Sequence, residues 1–121
     1  MNEKLFRFQN LAIWERGAEI SDPLFKLADG LERQRLFRFA EQLRGATLSI
    51  TNNIAEGSGS ASATDFANFL NIARRSIYEV ANILMLLVRQ GHFQAADTVA
   101  LLRELEEQSR MILAFRRTLK S

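Results

Sequence analysis

The stretch "LFRFAEQLRGATLSITNNIAEGSG", Leu36 to Gly59, decides how this chain is read. Leu36, Ala40, Leu43, Thr47, Ile50 and Ile54 recur at alternating steps of four and three, the spacing of one face of an α-helix. The last turns are less comfortable. Thr51, Asn52 and Asn53 are poorer helix formers than Ala or Leu. Glu56 occupies the last turn, where the negative end of the helix dipole disfavours a carboxylate. Residues of this kind, kept inside an otherwise regular helix, point to a role beyond helix propensity.

Working outward, the same periodicity predicts four helices and no strands, at about 10–29, 32–56, 63–90 and 94–118, within one domain spanning residues 1–121. Asn10 reads as the N-cap of the first, which carries Leu11, Trp14, Ala18, Leu24, Leu27 and Ala28. Pro23 is expected to kink this helix, because proline lacks an N–H and crowds the preceding turn. Gly30 reads as its C-cap and Gly57 as the stop of the second helix. The linker "GSGSAS", Gly57 to Ser62, is short and flexible. Ser62 with Asp65 resembles a capping box for the third helix, whose stripe is Phe66, Leu70, Ala73, Ile77, Val80, Leu84 and Leu87. Gly91 closes it. The fourth helix carries Leu101, Leu105, Ile112, Phe115 and Leu119. Four apolar stripes joined by short loops predict an all-α, antiparallel up-down-up-down four-helix bundle. A three-helix core with the first helix detached would leave Trp14 uncovered.

Composition narrows the function classes. The chain is 47% hydrophobic and 25% charged, ordinary globular usage. It has no cysteine and one histidine, His92, which argues against disulfides and thiolate or imidazole metal sites. The N-terminus has scattered charges and no apolar h-region of a secretory signal. The longest apolar run, Val80 to Val88, falls far short of the roughly 20 residues of a membrane span. A cytoplasmic protein with no membrane contact is expected. Neither a phosphate-loop nor a dinucleotide-binding fingerprint is present. Ser49 has no activating histidine in its helix, and His92 with Phe93 reads as part of a turn. No catalytic residue, cofactor or metal is expected.

Two surface features suggest partners. Helix three bears a second apolar line, Phe69, Ile72, Ile83 and Leu86, wider than one face of a small bundle consumes. It reads as a subunit interface, against the simpler alternative that helix three is the most buried of the four. Of the sixteen basic residues, most are arginine, which suits bidentate contact with phosphate. On helical wheels Arg35, Arg38, Arg75, Arg89, Arg103, Arg110 and Arg117 fall away from the core and are the candidate nucleic-acid contacts. Acidic neighbours such as Glu41, Glu104 and Glu107 suggest, alternatively, a salt-bridged surface.

With the helices placed, "LRGATLSITNNIAEGSG" resembles the signature of the bacterial four-helix-bundle family of 23S rRNA intervening-sequence proteins. Arg44, Ala46, Ser49, Ile50, Asn53, Ile54, Ala55, Glu56 and Gly57 fall on it. Asp65, Phe66, Phe69, Leu70, Ala73, Ser76 and Glu79 resemble the family's third helix. The stretches around Trp14 and Gly91 resemble its first helix and last turn. Thr51 stands where the family usually has proline, and Ser58 to Ser60 lack a basic residue that often follows the glycine. The resemblance implies a bundle that assembles into a homopentameric ring, with no established biochemical role. A related branch, the accessory protein of diversity-generating retroelements, is a basic pentameric barrel that binds nucleic acid and a reverse transcriptase. On this view Asn53, Glu56 and Gly57 form a structural motif, with Asn53 and Glu56 turned inward or toward a neighbouring helix and Arg74 a candidate partner for Glu56. The competing reading is a ligand site formed by the same polar atoms. The expected function is a non-enzymatic homo-oligomer that binds RNA or DNA through its arginines. The alternative is an adaptor that docks a protein partner.

Overall fold

The computed structural model describes residues 3–120. A short 3-10 turn, Arg7–Asn10, leads into α1 (Ala12–Arg33), α2 (Phe37–Ser58), α3 (Ala63–Arg89) and α4 (Ala95–Arg117). Among the described residues there are no strands. The apolar stripes meet in one core: Ile20, Leu24 and Leu31 from α1, Leu43, Ile50 and Ile54 from α2, Leu70, Ile77 and Leu84 from α3, and Leu105 and Ile112 from α4. This is an all-α four-helix bundle. α1 and α3 each pack against α2 and α4 but not against each other, so they stand diagonally.

The ends of the helices are set by what they bury. Asn10 does not cap α1; it closes the 3-10 turn, and Leu11 takes the cap position without a side-chain bond. α1 runs unbroken through Pro23. It also runs through Gly30, because Leu31, one residue on, is completely buried and holds another turn in place. The reversal therefore falls on Arg35, whose φ of 65° is left-handed. Arg35 N–H donates to Glu32 O and Leu36 N–H to Leu31 O, both at 2.9 Å, the paired bonds of a Schellman stop. α3 ends the same way on Gly91, with φ 82° and bonds from Gly91 N–H to Val88 O and from His92 N–H to Leu87 O. At the start of α3, Ser62 Oγ accepts from Asp65 N–H at 3.1 Å.

Gly57 also differs from the expected helix stop. α2 continues to Ser58, with Gly59 as its cap, and Gly57 is buried inside the last turn. A Cβ built there would lie 2.7 Å from Phe69 Cβ and 2.8 Å from the Phe66 ring, closer than side-chain atoms tolerate. Gly57 is therefore the point where α2 lies almost directly on α3. The α2–α3 pairing is the most extensive in the bundle.

Two stability measurements test this account. Gly57→Ala is expected to cost about 1–3 kcal/mol by overpacking against Phe66 and Phe69, seen as a lowered urea midpoint. Arg35→Gly should relieve the left-handed strain and raise stability by about 0.5–1 kcal/mol. A lower melting temperature for Arg35→Gly would contradict the Schellman reading.

Candidate nucleic-acid interface

The motif Thr51 to Gly57 places Asn53 and Glu56 in different environments. Asn53 is half-buried, and its Nδ2 donates to Ser49 O at 2.7 Å and to Ser49 Oγ at 2.9 Å. Ser49 Oγ in turn donates to Ser76 Oγ across the α2–α3 seam at 2.8 Å, and Ser76 Oγ donates to Ile72 O at 3.1 Å. These short side chains make a continuous polar ladder where bulkier ones would hold the helices apart. Glu56, in contrast, is exposed, and its carboxylate makes no hydrogen bond or ion pair among the described residues. Arg74 is not its partner: the Arg74 Nε–H donates instead to Ser109 O on α4 at 3.0 Å. A residue at the outer end of α2 cannot reach a guanidinium that leans the other way, over α4.

The second apolar line of α3 is also divided. Ile83 is only 7% exposed and belongs to the core, so it is withdrawn from the candidate interface. Phe69 is half-buried against Gly57. Ile72 and Leu86 stay exposed, at 41% and 42%. Further round the same helix, Tyr78 and Met85 are exposed as well.

All seven candidate arginines are exposed. Arg110 is paired with Glu106 at 2.9 Å. Arg35, Arg38, Arg75, Arg89, Arg103 and Arg117 have no ion pair among the described residues. The acids expected to neutralise them are engaged elsewhere or unpaired. Glu107 binds Arg16 at 3.4 Å, and Asp29 and Glu32 grip Arg44 at 2.8 and 2.9 Å. Asp29, then Glu32, raises the Arg44 guanidinium above its ordinary pKa, and Arg44 is not free for another anion. The free arginines do not form one patch. Arg35, Arg38 and Arg89 share the end of the bundle where Phe39 meets His92, their rings 6.0 Å apart. Arg75 and Arg103 lie along the sides of α3 and α4, and Arg117 is at the opposite end, next to Arg116.

Sequence reasoning missed the residues that fix α4. Gln108 sits in the apolar stripe between Leu105 and Ile112, fully buried, and its Nε2 donates to Ile13 O at 2.8 Å. Arg116 Nε donates to Ala67 O at 3.0 Å, as Arg74 does to Ser109 O. The gap that Gln108 leaves in the helix-four stripe was the available signal. Among the described residues, no group of three or more His, Cys, Asp or Glu side chains could hold a metal ion. No helix there is long and apolar enough to cross a membrane.

A small bundle with a glycine-seated α2–α3 seam, a polar ladder beside it and unpaired arginines outside defines a class of compact all-α proteins. Residues 9–114 match the 23S rRNA-intervening sequence protein family model, and the chain belongs to that family. Its fold is shared with a crystallised protein of unknown function from Bacteroides thetaiotaomicron, assigned to the S23 ribosomal protein family. That protein is 24% identical, with a TM-score of 0.82 over 87% of this chain and 98% of the other. No curated protein matches the sequence.

Two substitutions separate the roles within the motif. Glu56→Gln is expected to leave the melting temperature unchanged within about 0.5 kcal/mol of stability, because nothing in the chain depends on its charge. Asn53→Ala should cost about 1 kcal/mol by removing its bonds to Ser49. A large loss from Glu56→Gln would return that carboxylate to a structural role.

Proposed function

We propose that this protein is a non-enzymatic homo-oligomer, pentameric as its family resemblance implies, that binds RNA or DNA without sequence preference. The observation that carries the reading is the set of exposed arginines left without ion pairs: Arg35, Arg38, Arg75, Arg89, Arg103 and Arg117. Guanidinium groups in water, unneutralised and facing outward, attract phosphate from any sequence and release its counterions. The net charge of +2 is small for one chain. Assembly multiplies it, since each copy repeats its basic residues and surfaces of one sign concentrate a polyanion. Exposed Ile72 and Leu86, beside half-buried Phe69, supply apolar area for contact between copies.

A titration with a generic RNA and a generic DNA duplex at low and moderate salt tests the binding. Affinity is expected to fall steeply as salt rises, and Arg38→Glu with Arg89→Glu should weaken both probes alike. Failure to bind either probe at low salt would remove the polyanion reading and favour an adaptor that docks a protein partner. Sedimentation equilibrium tests the assembly. A monomer at all concentrations would end that part of the proposal, and Ile72→Lys with Leu86→Lys should dissociate the oligomer without unfolding it.

A further inference from the structure

Tyr78 has no task within its own chain. It is the only tyrosine in the sequence and is 64% exposed. Among the described residues its ring stacks on no other aromatic side chain, and its hydroxyl makes no hydrogen bond. It stands between two depressions on the outer side of α3. One, of about 420 Å³, is lined by Asn71, Arg74, Arg75 and Tyr78. The other, of about 450 Å³, runs between α3 and α4, where Tyr78 is joined by Ile77, Ala81, Met85 and Leu102.

The charge lining the first depression is one-sided. No carboxylate lines the first depression. Arg75 makes no ion pair with Glu79, one turn further along α3. Arg74 is anchored through Nε to Ser109 O at 3.0 Å, which fixes its position beside the ring and leaves its terminal nitrogens for an anion. Glu106, at the border of the second depression, is already held by Arg110. The acid-rich helix is α1, where Glu15, Glu19, Asp22, Asp29 and Glu32 outnumber Arg16, Lys26 and Arg33. It stands diagonally across the bundle from α3.

We infer that Tyr78 is a stacking platform for a base of single-stranded nucleic acid, with Arg74 and Arg75 holding the neighbouring phosphates. The inference rests on the nucleic-acid reading above and narrows it from any polyanion to single strands. Every base has a π-face, so a lone aromatic ring accepts any of them, in keeping with binding that lacks sequence preference. The amides of Asn71 and Asn82, on either side of the ring position, offer donors and acceptors to a base edge. A base inside a duplex is already stacked on its neighbours and is not available to the ring. Duplex binding would therefore use the arginines alone.

The test is fluorescence anisotropy on the full chain with an oligoadenylate of about 12 nucleotides and a duplex of the same length. It compares wild type with Tyr78→Ala, Tyr78→Phe and Arg75→Ala, with particle mass measured alongside. Tyr78→Ala is expected to weaken single-strand binding roughly 5- to 100-fold and to leave duplex binding and mass unchanged. Tyr78→Phe should keep the single-strand affinity, because the ring and not the hydroxyl carries it. Arg75→Ala should weaken the single strand and reduce its salt slope by about one. If Tyr78→Ala binds the single strand as wild type does, with salt-sensitive binding intact, the platform is refuted and the phosphate reading survives. If neither probe binds at low salt, both fail. A changed particle mass in Tyr78→Ala would assign the ring to a protein contact and overturn the inference.

Discussion

The bundle depends on one close approach: the Cα of Gly57 against Phe66 and Phe69, where there is no room for a methyl group. A contact this tight fixes how far α2 lies from α3 and where along α3 it sits. The Ser49–Asn53–Ser76 ladder continues the same seam with small polar side chains that satisfy one another. Asparagine and serine are poor choices for helix propensity. Here they let two backbones come close while their polar atoms stay hydrogen-bonded, which an apolar pair of the same bulk would not achieve. The seam therefore explains residues that look misplaced when the helix is considered alone.

α4 is held by a different principle. Its apolar stripe is interrupted by Gln108, and three side-chain bonds to main-chain carbonyls tie it in: Gln108 to Ile13, Arg74 to Ser109 and Arg116 to Ala67. A carbonyl oxygen already engaged in a helix has a second lone pair, so these bonds add to the helices rather than compete with them. Burying polar atoms has a cost. Gln108 Oε1, Thr47 Oγ1 and Arg16 Nε are buried with no protein partner among the described residues, and leaving such a group unpaired costs about 1–3 kcal/mol of lost hydration. Fixation through long polar arms also leaves the outer α3–α4 junction less filled than the α2–α3 seam, and it is there that Tyr78 and Met85 reach solvent.

The helices and their buried faces were legible because periodicity reports direction. Every stripe residue of α3 from Phe66 to Leu87 is buried, and Ser62 and Gly91 mark the ends of that helix as their chemistry predicts. What periodicity does not report is depth. Ile83 lies on the flank of the stripe, yet it is buried while Ile72 and Leu86 on the same flank are not. Glycine misled for a related reason. Gly30 and Gly57 have the composition of helix stops, yet one is carried through by the burial of Leu31 and the other is required by a neighbour's ring. The left-handed residue that does stop α1 is an arginine, which no local propensity would select. Polar partners were the least readable. Arg74 and Glu56 look complementary in sequence, but the rotation of α3 turns the guanidinium toward α4.

Charge follows the same distinction between amount and placement. A net charge of +2 over the chain describes an almost balanced protein. The balance is uneven in space: α1 carries five acids against three bases, and its Asp29 and Glu32 hold Arg44 of α2, while its Arg16 pairs with Glu107 of α4. Those pairs engage two arginines around α1, and among the described residues the arginines of α3 have no carboxylate partner. Diagonal placement then keeps the negative helix as far as a four-helix bundle allows from the surface of α3. Screening in physiological salt acts over about 8 Å, less than the width of the bundle, so the charges on the two faces influence each other only weakly. The fold thus gives a nearly neutral chain a stretch of α3 where Arg74, Arg75 and the exposed ring of Tyr78 lie together.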